Sequence, residues 1–112
     1  MKVVVVNIGN GILKVVFTGS MNEVGVLEVE SQFSEIMKLK MTKIIFDLKD
    51  VDLLNSRGIR ALVFSAKVLN EKGGKLVLVN PSASVAETIR TAGVDAIVPI
   101  APDLNAAIAL VQ

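Results

Sequence analysis

The sequence contains no cysteine and no histidine. Disulfides, zinc sites of the Cys/His kind, thiol nucleophiles and imidazole acid–base chemistry are therefore excluded. Tryptophan and tyrosine are also absent, and four phenylalanines are the only aromatic residues. With 52% of the chain apolar, the core has to be built mainly from Val, Leu, Ile and Ala, as in parallel strands covered by helices. Charge of one sign is lacking too: the formal net charge is +1, and no block of like charges forms a tail. Nucleic-acid binding needs concentrated basic surface, so no direct nucleic-acid partner is expected. No run approaches the ~18 apolar residues of a membrane span. Met1-Lys2 leads into an apolar run too short for a signal-peptide core, and no small-residue cleavage site follows. The expected compartment is the cytoplasm.

What is present is an alternation of strand and helix patterns in 112 residues, the length of one domain spanning 1–112. Residues 3–6 with Ile8, and residues 12–17, are β-branched runs. Gly9-Asn10-Gly11 between them tolerates positive φ and predicts a β-hairpin. Gly19 reads as the end of the second strand. A helix follows, with Val26, Val29, Phe33, Ile36 and Met37 on one face and Glu28, Ser31, Glu35 and Lys38 opposite. Residues 44–48 form a short buried strand. Residues 49–55 read as a polar loop, although Val51, Leu53 and Leu54 interrupt it.

From Ser56 a helix buries Ile59, Leu62, Val63, Ala66 and Leu69, and Gly73-Gly74 ends it. Residues 75–79 are the next strand. Ser84 and Glu87 have capping-box spacing for a helix to about Thr91, which Gly93 ends. Residues 97–100 read as a last strand. Asp103 caps a final helix with Leu104, Ala107, Ile108 and Val111 on one face. The order β-β-α-β-α-β-α-β-α predicts a single α/β domain. Its sheet is mixed, an antiparallel hairpin followed by parallel strands with right-handed crossovers, covered by about four helices.

In such sheets chemistry gathers at the carboxyl ends of the strands. Ser56 stands out there, at the mouth of a helix whose first N–H groups are unpaired and whose dipole is positive. A phosphate on it would be stabilised by those donors and would add about −1.5 to −2 charge to one face. Gly58 keeps the first turn uncrowded. The plainer reading makes Ser56 a simple N-cap, a role that Asn55 fills equally well. Along the same helix Arg57, Arg60, Ala61, Phe64 and Val68 share a stripe opposite the buried one. An apolar strip rimmed by arginine is the pattern of a docking site. Alternatively another element covers Phe64, or it is one of the isolated exposed apolar residues of any surface.

Other candidates are weaker. Asp47, Asp50 and Asp52 lack the glycine and distal Glu of a calcium loop. Gly73-Gly74-Lys75 lacks the upstream glycine of a phosphate loop, and Leu76 stands where Ser or Thr belongs. Gly9-Asn10-Gly11 lies between strands and so is no dinucleotide fingerprint. No cofactor and no metal is expected.

Residues 44–48 (Ile-Ile-Phe-Asp-Leu) followed by residues 51–59 (Val-Asp-Leu-Leu-Asn-Ser-Arg-Gly-Ile) resemble the signature of the STAS family, the anti-sigma factor antagonists. That signature is an aliphatic strand ending in Asp-Leu, then a loop ending in Asp-Ser-Ser-Gly-Leu. The resemblance continues through Ala61-Leu62, Lys67, Leu69, Gly73-Gly74, residues 76–80 and Gly93, and Gly19-Ser20-Met21-Asn22 resembles the family's Gly-x-Leu-Asp turn. It implies a protein that binds partners and is not an enzyme. In that family the first signature Ser is phosphorylated by a serine kinase, often the anti-sigma factor itself, and only the unphosphorylated form binds. Carried over, Ser56 matches the phosphoacceptor. Asn22, Asn55, Arg57, Gly58, Arg60, Phe64 and Val68 would then be the partner-binding residues, and a serine phosphatase a further partner. Two positions depart from the signature. Asn55 replaces its carboxylate and Arg57 its second, small Ser.

Three readings compete. The first is a partner-switching antagonist controlled at Ser56. The second is a constitutive STAS scaffold or accessory subunit of transport machinery, favoured if Asn55 and Arg57 make Ser56 unreactive. The third, an α/β enzyme or nucleotide-binding domain, is opposed by the missing His, Cys and phosphate loop.

Overall fold

The β-branched runs at the start of the chain pair with each other. In the computed structural model, which describes residues 1–112, strand β1 (Lys2–Gly9) runs antiparallel to β2 (Ile12–Met21). Asn10 and Gly11 make the turn with φ of 56° and 76°, the left-handed pair that a two-residue hairpin requires. β3 (Lys43–Leu54), β4 (Lys75–Val79) and β5 (Ile100–Ala101) then add in parallel, giving one sheet in the order β1-β2-β3-β4-β5.

The helices α1 (Glu23–Glu28), α2 (Glu30–Lys38), α3 (Ser56–Glu71) and α4 (Ala83–Thr91) make the connections between the parallel strands. Each crossover moves one strand further along the sheet, so right-handedness puts all four helices on the same face. Phe17, Phe46, Ile36, Leu62 and Ile89 meet there in the larger core. Phe17, Phe33 and Phe46 form an aromatic trio, with centroids 4.9–6.2 Å apart. The helix α5 (Leu104–Val111) covers the other face, where Ala107 and Val111 pack on Ile12, Ile45 and Val77. It rests on β3, β4 and β5, and Val4 and Val6 of the hairpin stay exposed. Three-dimensional alternation explains the solid apolar run at residues 44–48: Ile44, Phe46 and Leu48 face one core and Ile45 the other.

The α3 terminus follows the glycine rule. Gly73 adopts φ 74°; its N–H bonds Asn70 O at 3.0 Å and that of Gly74 bonds Leu69 O at 2.8 Å, the Schellman arrangement. Lys72 sends its ammonium to the carbonyls of Met37 and Leu39, closing the end of α2 with charge of the favourable sign.

The structure corrects the sequence reading at five places. Gly19 does not end β2: at φ 114° it sits inside the strand, which continues to Met21. Residues 49–55 are not a loop, because β3 runs on to Leu54 beside β2 alone. β4 pairs only as far as Asp47, so the extension has one free edge and carries exposed Lys49, Asp50 and Asp52 with buried Val51 and Leu54. The helix expected across 26–37 is two helices, making five in all. At buried Val29 the N–H turns to Val26 O at 3.3 Å, outside the helical ladder. Ser82 caps α4, its Oγ accepting from Val85 N at 3.3 Å, and Ser84 lies inside the helix. Finally, residues 94–96 form a 3₁₀ turn, and the last strand shrinks to Ile100–Ala101.

Candidate functional site

The extension of β3 determines where Ser56 stands. Twice along the β2–β3 ladder β3 carries an extra residue, between the pairs Val16:Asp47 and Thr18:Asp50 and between Gly19:Val51 and Ser20:Leu53. Such bulges bend and twist a strand. Ser20 Oγ donates to Asp52 Oδ1 at 2.7 Å and fastens the two strand ends. Both strands deliver an asparagine directly to a helix start. Asn22 caps α1, accepting from Gly25 N at 2.9 Å. Asn55 caps α3, its Oδ1 accepting from Arg57 N at 3.0 Å and Gly58 N at 3.3 Å.

Asn55 also holds the neighbouring helix. Its Nδ2 donates to the Glu23 carboxylate at 3.3–3.4 Å, and its backbone N–H donates to Met21 O at 3.3 Å. A carboxylate from position 23 thus lies against the amide at position 55. Gly58 is buried against the end of β2. A Cβ there would meet Met21 O and lie 2.6 Å from Leu54 Cδ1 and 2.7 Å from Met21 Cγ. Gly58, expected at the partner surface, therefore acts from beneath it by letting α3 approach the sheet.

Ser56 is the first residue of α3 and is solvent-exposed. It is not the cap, and two of the helix's first N–H donors are spent on Asn55. The expectation that those donors are free for a phosphate is corrected accordingly. What the site offers is an exposed hydroxyl at the start of a helix. The Asp47 carboxylate is engaged elsewhere: the side chain is buried, accepts from Lys49 N at 3.0 Å and lies 3.9 Å from Lys14 Nζ.

From Arg57, the residue after Ser56, a groove of about 830 Å³ opens between α2 and α3, lined by Phe33, Met37, Phe64 and Val68 together with Arg57 and Arg60. Phe64 is 58% exposed, which answers the question the sequence left open. Val68 is half-buried and leans on the core. Arg60 is exposed, and Asn22, Asn55, Arg57 and Ala61 are half-buried. The stripe expected on α3 is one wall of this groove; α2 is the other. Val24 and Leu27 of α1 and Leu53 of β3 are also exposed. Sequence reasoning missed these three. The signal for the first two was present, since both lie off the buried stripe of Val26 and Val29. A more polar crevice, lined in part by Lys49, Asn80, Arg90 and Asp95, opens at the carboxyl ends of β4 and β5.

Fold and site define a class: a small α/β domain with an exposed hydroxyl at a helix start and an apolar groove opening from the next residue. The STAS domain family profile matches residues 3–107, and the chain belongs to that family. It is 28% identical over 100 residues to BtrV of Bordetella bronchiseptica, a candidate anti-sigma factor antagonist, covering 89% of this chain and 86% of the relative. An anti-sigma factor antagonist from Mycobacterium paratuberculosis superposes with a TM-score of 0.87 at 22% identity, over 98% of this chain and 92% of that one. A candidate antagonist from Thermotoga maritima gives 0.85 at 24% identity, over 94% and 91%. The likeness is to proteins described as anti-sigma factor antagonists, and no helix is long and apolar enough to cross a membrane.

Proposed function

We propose that this protein is an anti-sigma factor antagonist that works by partner switching. In its unphosphorylated form it binds an anti-sigma factor that is also a serine kinase, and so releases a sigma factor. That kinase phosphorylates Ser56, the complex dissociates, and a serine phosphatase resets the cycle. The protein performs no chemistry itself and acts in the cytoplasm.

One observation carries this reading: Ser56 is exposed at the start of α3, and the next residue, Arg57, lines the groove that contains Phe64. The groove supplies desolvated anchor area, and an aromatic residue with arginine at the rim is the usual composition of a binding hot spot. A phosphate at Ser56 would place about −1.5 to −2 charge close to the Glu23 carboxylate and beside Arg57. It would compete with Glu23 for the Asn55 amide and change the charge of the groove mouth.

The test is incubation with the cognate kinase and ATP, mapping of the phosphosite, and partner binding by wild type and Ser56→Asp. Phosphate at Ser56 and weakened binding by Ser56→Asp support the mechanism. A phosphosite elsewhere, or unaltered binding, removes it. One feature favours the second reading, a constitutive module: Asn55 already occupies the donors that would steady a phosphate. An unmodified Ser56 together with stable co-purification in a larger assembly would establish that reading instead.

A further inference from the structure

The two edges of the sheet are treated differently by the fold. At one edge β5 has only two residues, Ile100–Ala101, too short to template another chain. At the other, β1 offers eight residues of regular strand, Lys2–Gly9, about 27 Å at ~3.4 Å per residue. β1 has β2 on one side and no strand on the other. Alternate residues therefore point N–H and C=O groups into solvent. Devices that protect an edge are charged side chains, proline, bulges or a covering element. β1 contains no proline, its one charged residue is Lys2 at the terminus, and its irregularity lies at the far end, between Asn7 and Gly9. Between them Val4, Val5 and Val6 are 57%, 43% and 39% exposed.

We propose that β1 is a self-pairing edge, and that two copies of this chain join antiparallel through it into one ten-stranded sheet. The geometry selects a second copy. A two-fold axis normal to the sheet reverses the strand while keeping both helix layers on the same side. Opposed residues must then face the same way, which requires their numbers to share parity. The axis consequently passes through one residue, Val4 or Val5. Centring on Val5 sets Val4 opposite Val6 and Lys2 opposite Ile8. Centring on Val4 sets Val3 opposite Val5 and Lys2 opposite Val6. In either register valines meet valines, and the two Lys2 ammoniums lie at opposite ends of the ladder, so no like charges oppose.

A second observation points the same way. α5 covers β3, β4 and β5, whereas Val4 and Val6 on its side of the sheet have no helix over them. Edge pairing sets the bare strips of the two copies side by side as one apolar band. A contact of this length falls at the small end of interface sizes, below about 1,200 Å². The dimer is accordingly concentration-dependent.

Sedimentation velocity of the full chain over a rising concentration series tests this, with hydrogen exchange on the same samples. The expected result is a mass climbing toward two chains, with protection of β1 amides growing in parallel. Val4→Lys and Val5→Lys each add a charge at an exposed position. The variant at the axis sets two ammoniums face to face and weakens the dimer more than its neighbour does, which identifies the register. Circular dichroism verifies that both variants remain folded. A wild type that stays monomeric throughout overturns the proposal. So does a dimer whose β1 amides exchange freely, or one that neither variant weakens. Protection of β1 only when an unrelated partner is added, with the mass of this chain unchanged, overturns it in favour of an extended peptide as the occupant.

Discussion

The side-chain amide of Asn55 lies 3.3 Å from the carboxylate of Glu23 while its carbonyl oxygen caps α3. One residue thus couples the starts of two helices, and the presented hydroxyl of Ser56 rides on that joint.

Removing the cap should cost stability where removing the hydroxyl does not. Asn55→Ala loses the acceptor for two N–H groups and should destabilise by about 1 kcal/mol. For a domain of this size that is a fall in Tm of roughly 4–8 °C. Ser56→Ala should stay within about 0.5 kcal/mol of wild type. Thermal denaturation of both variants checks this, and a larger loss in Ser56→Ala would mean that the serine caps the helix after all.

Gly58→Ala sets helix propensity against space. Alanine is better than glycine inside a helix by about 1 kcal/mol. The added methyl, however, would lie 2.6 Å from Leu54 Cδ1 and 2.7 Å from Met21 Cγ, and overpacking of this kind costs about 1–3 kcal/mol. Sterics should win, so a urea titration should move the midpoint down. A midpoint moving up would show that α3 can withdraw from β2 without penalty.

Phe64→Ala and Phe17→Ala should part stability from binding. Phe17 is fully buried, and its truncation should cost about 3–5 kcal/mol. Phe64 is 58% exposed. Its truncation should leave Tm nearly unchanged while weakening the partner complex roughly thirtyfold, the size of a 2 kcal/mol hot spot. Calorimetric titration with the anti-sigma factor reads the second effect. Equal affinity of Phe64→Ala and wild type would move the interface away from the groove.

Glu23→Gln should report on the joint. It keeps a group able to accept from Asn55 and removes the charge that would repel a phosphate. With Ser56 unphosphorylated the variant should bind the partner normally, and it should lose less affinity on introduction of Ser56→Asp than wild type does. Isothermal titration of the four proteins forms the cycle, and strict additivity would uncouple Glu23 from the switch.

How far the sequence carried depended on how local the cause was. The hairpin turn, the end of α3 at Gly73 and the cap at Asp103 follow from a residue and its nearest neighbours, and each stands where the pattern put it. The extension of β3 did not, because Lys49, Asp50 and Asp52 look like loop residues until Met21 and Ser20 are seen pairing with Leu54 and Leu53 across the ladder. The break at Val29 is hidden by apolar spacing that suits one helix as well as two. At the site, Ser56, Phe64 and the arginines were readable from position along one helix. The opposite wall of the groove, from Phe33 to Met37, belongs to a different element, and only tertiary packing sets the two together.

Three of the four phenylalanine rings interlock, Phe33 of α2 with Phe17 and Phe46 of the sheet, and the fourth, Phe64, stands apart from them and is exposed. With no tryptophan or tyrosine in the chain, uniform fluorophenylalanine labelling gives one exposed ring, Phe64, one half-buried ring in the groove wall, Phe33, and two fully buried ones, Phe17 and Phe46. The Phe64 line will follow what docks on the surface, the Phe33 line will feel both the groove and the aromatic trio, and the Phe17 and Phe46 lines, from fully buried rings, will register whether the interior has held its arrangement, in a single spectrum.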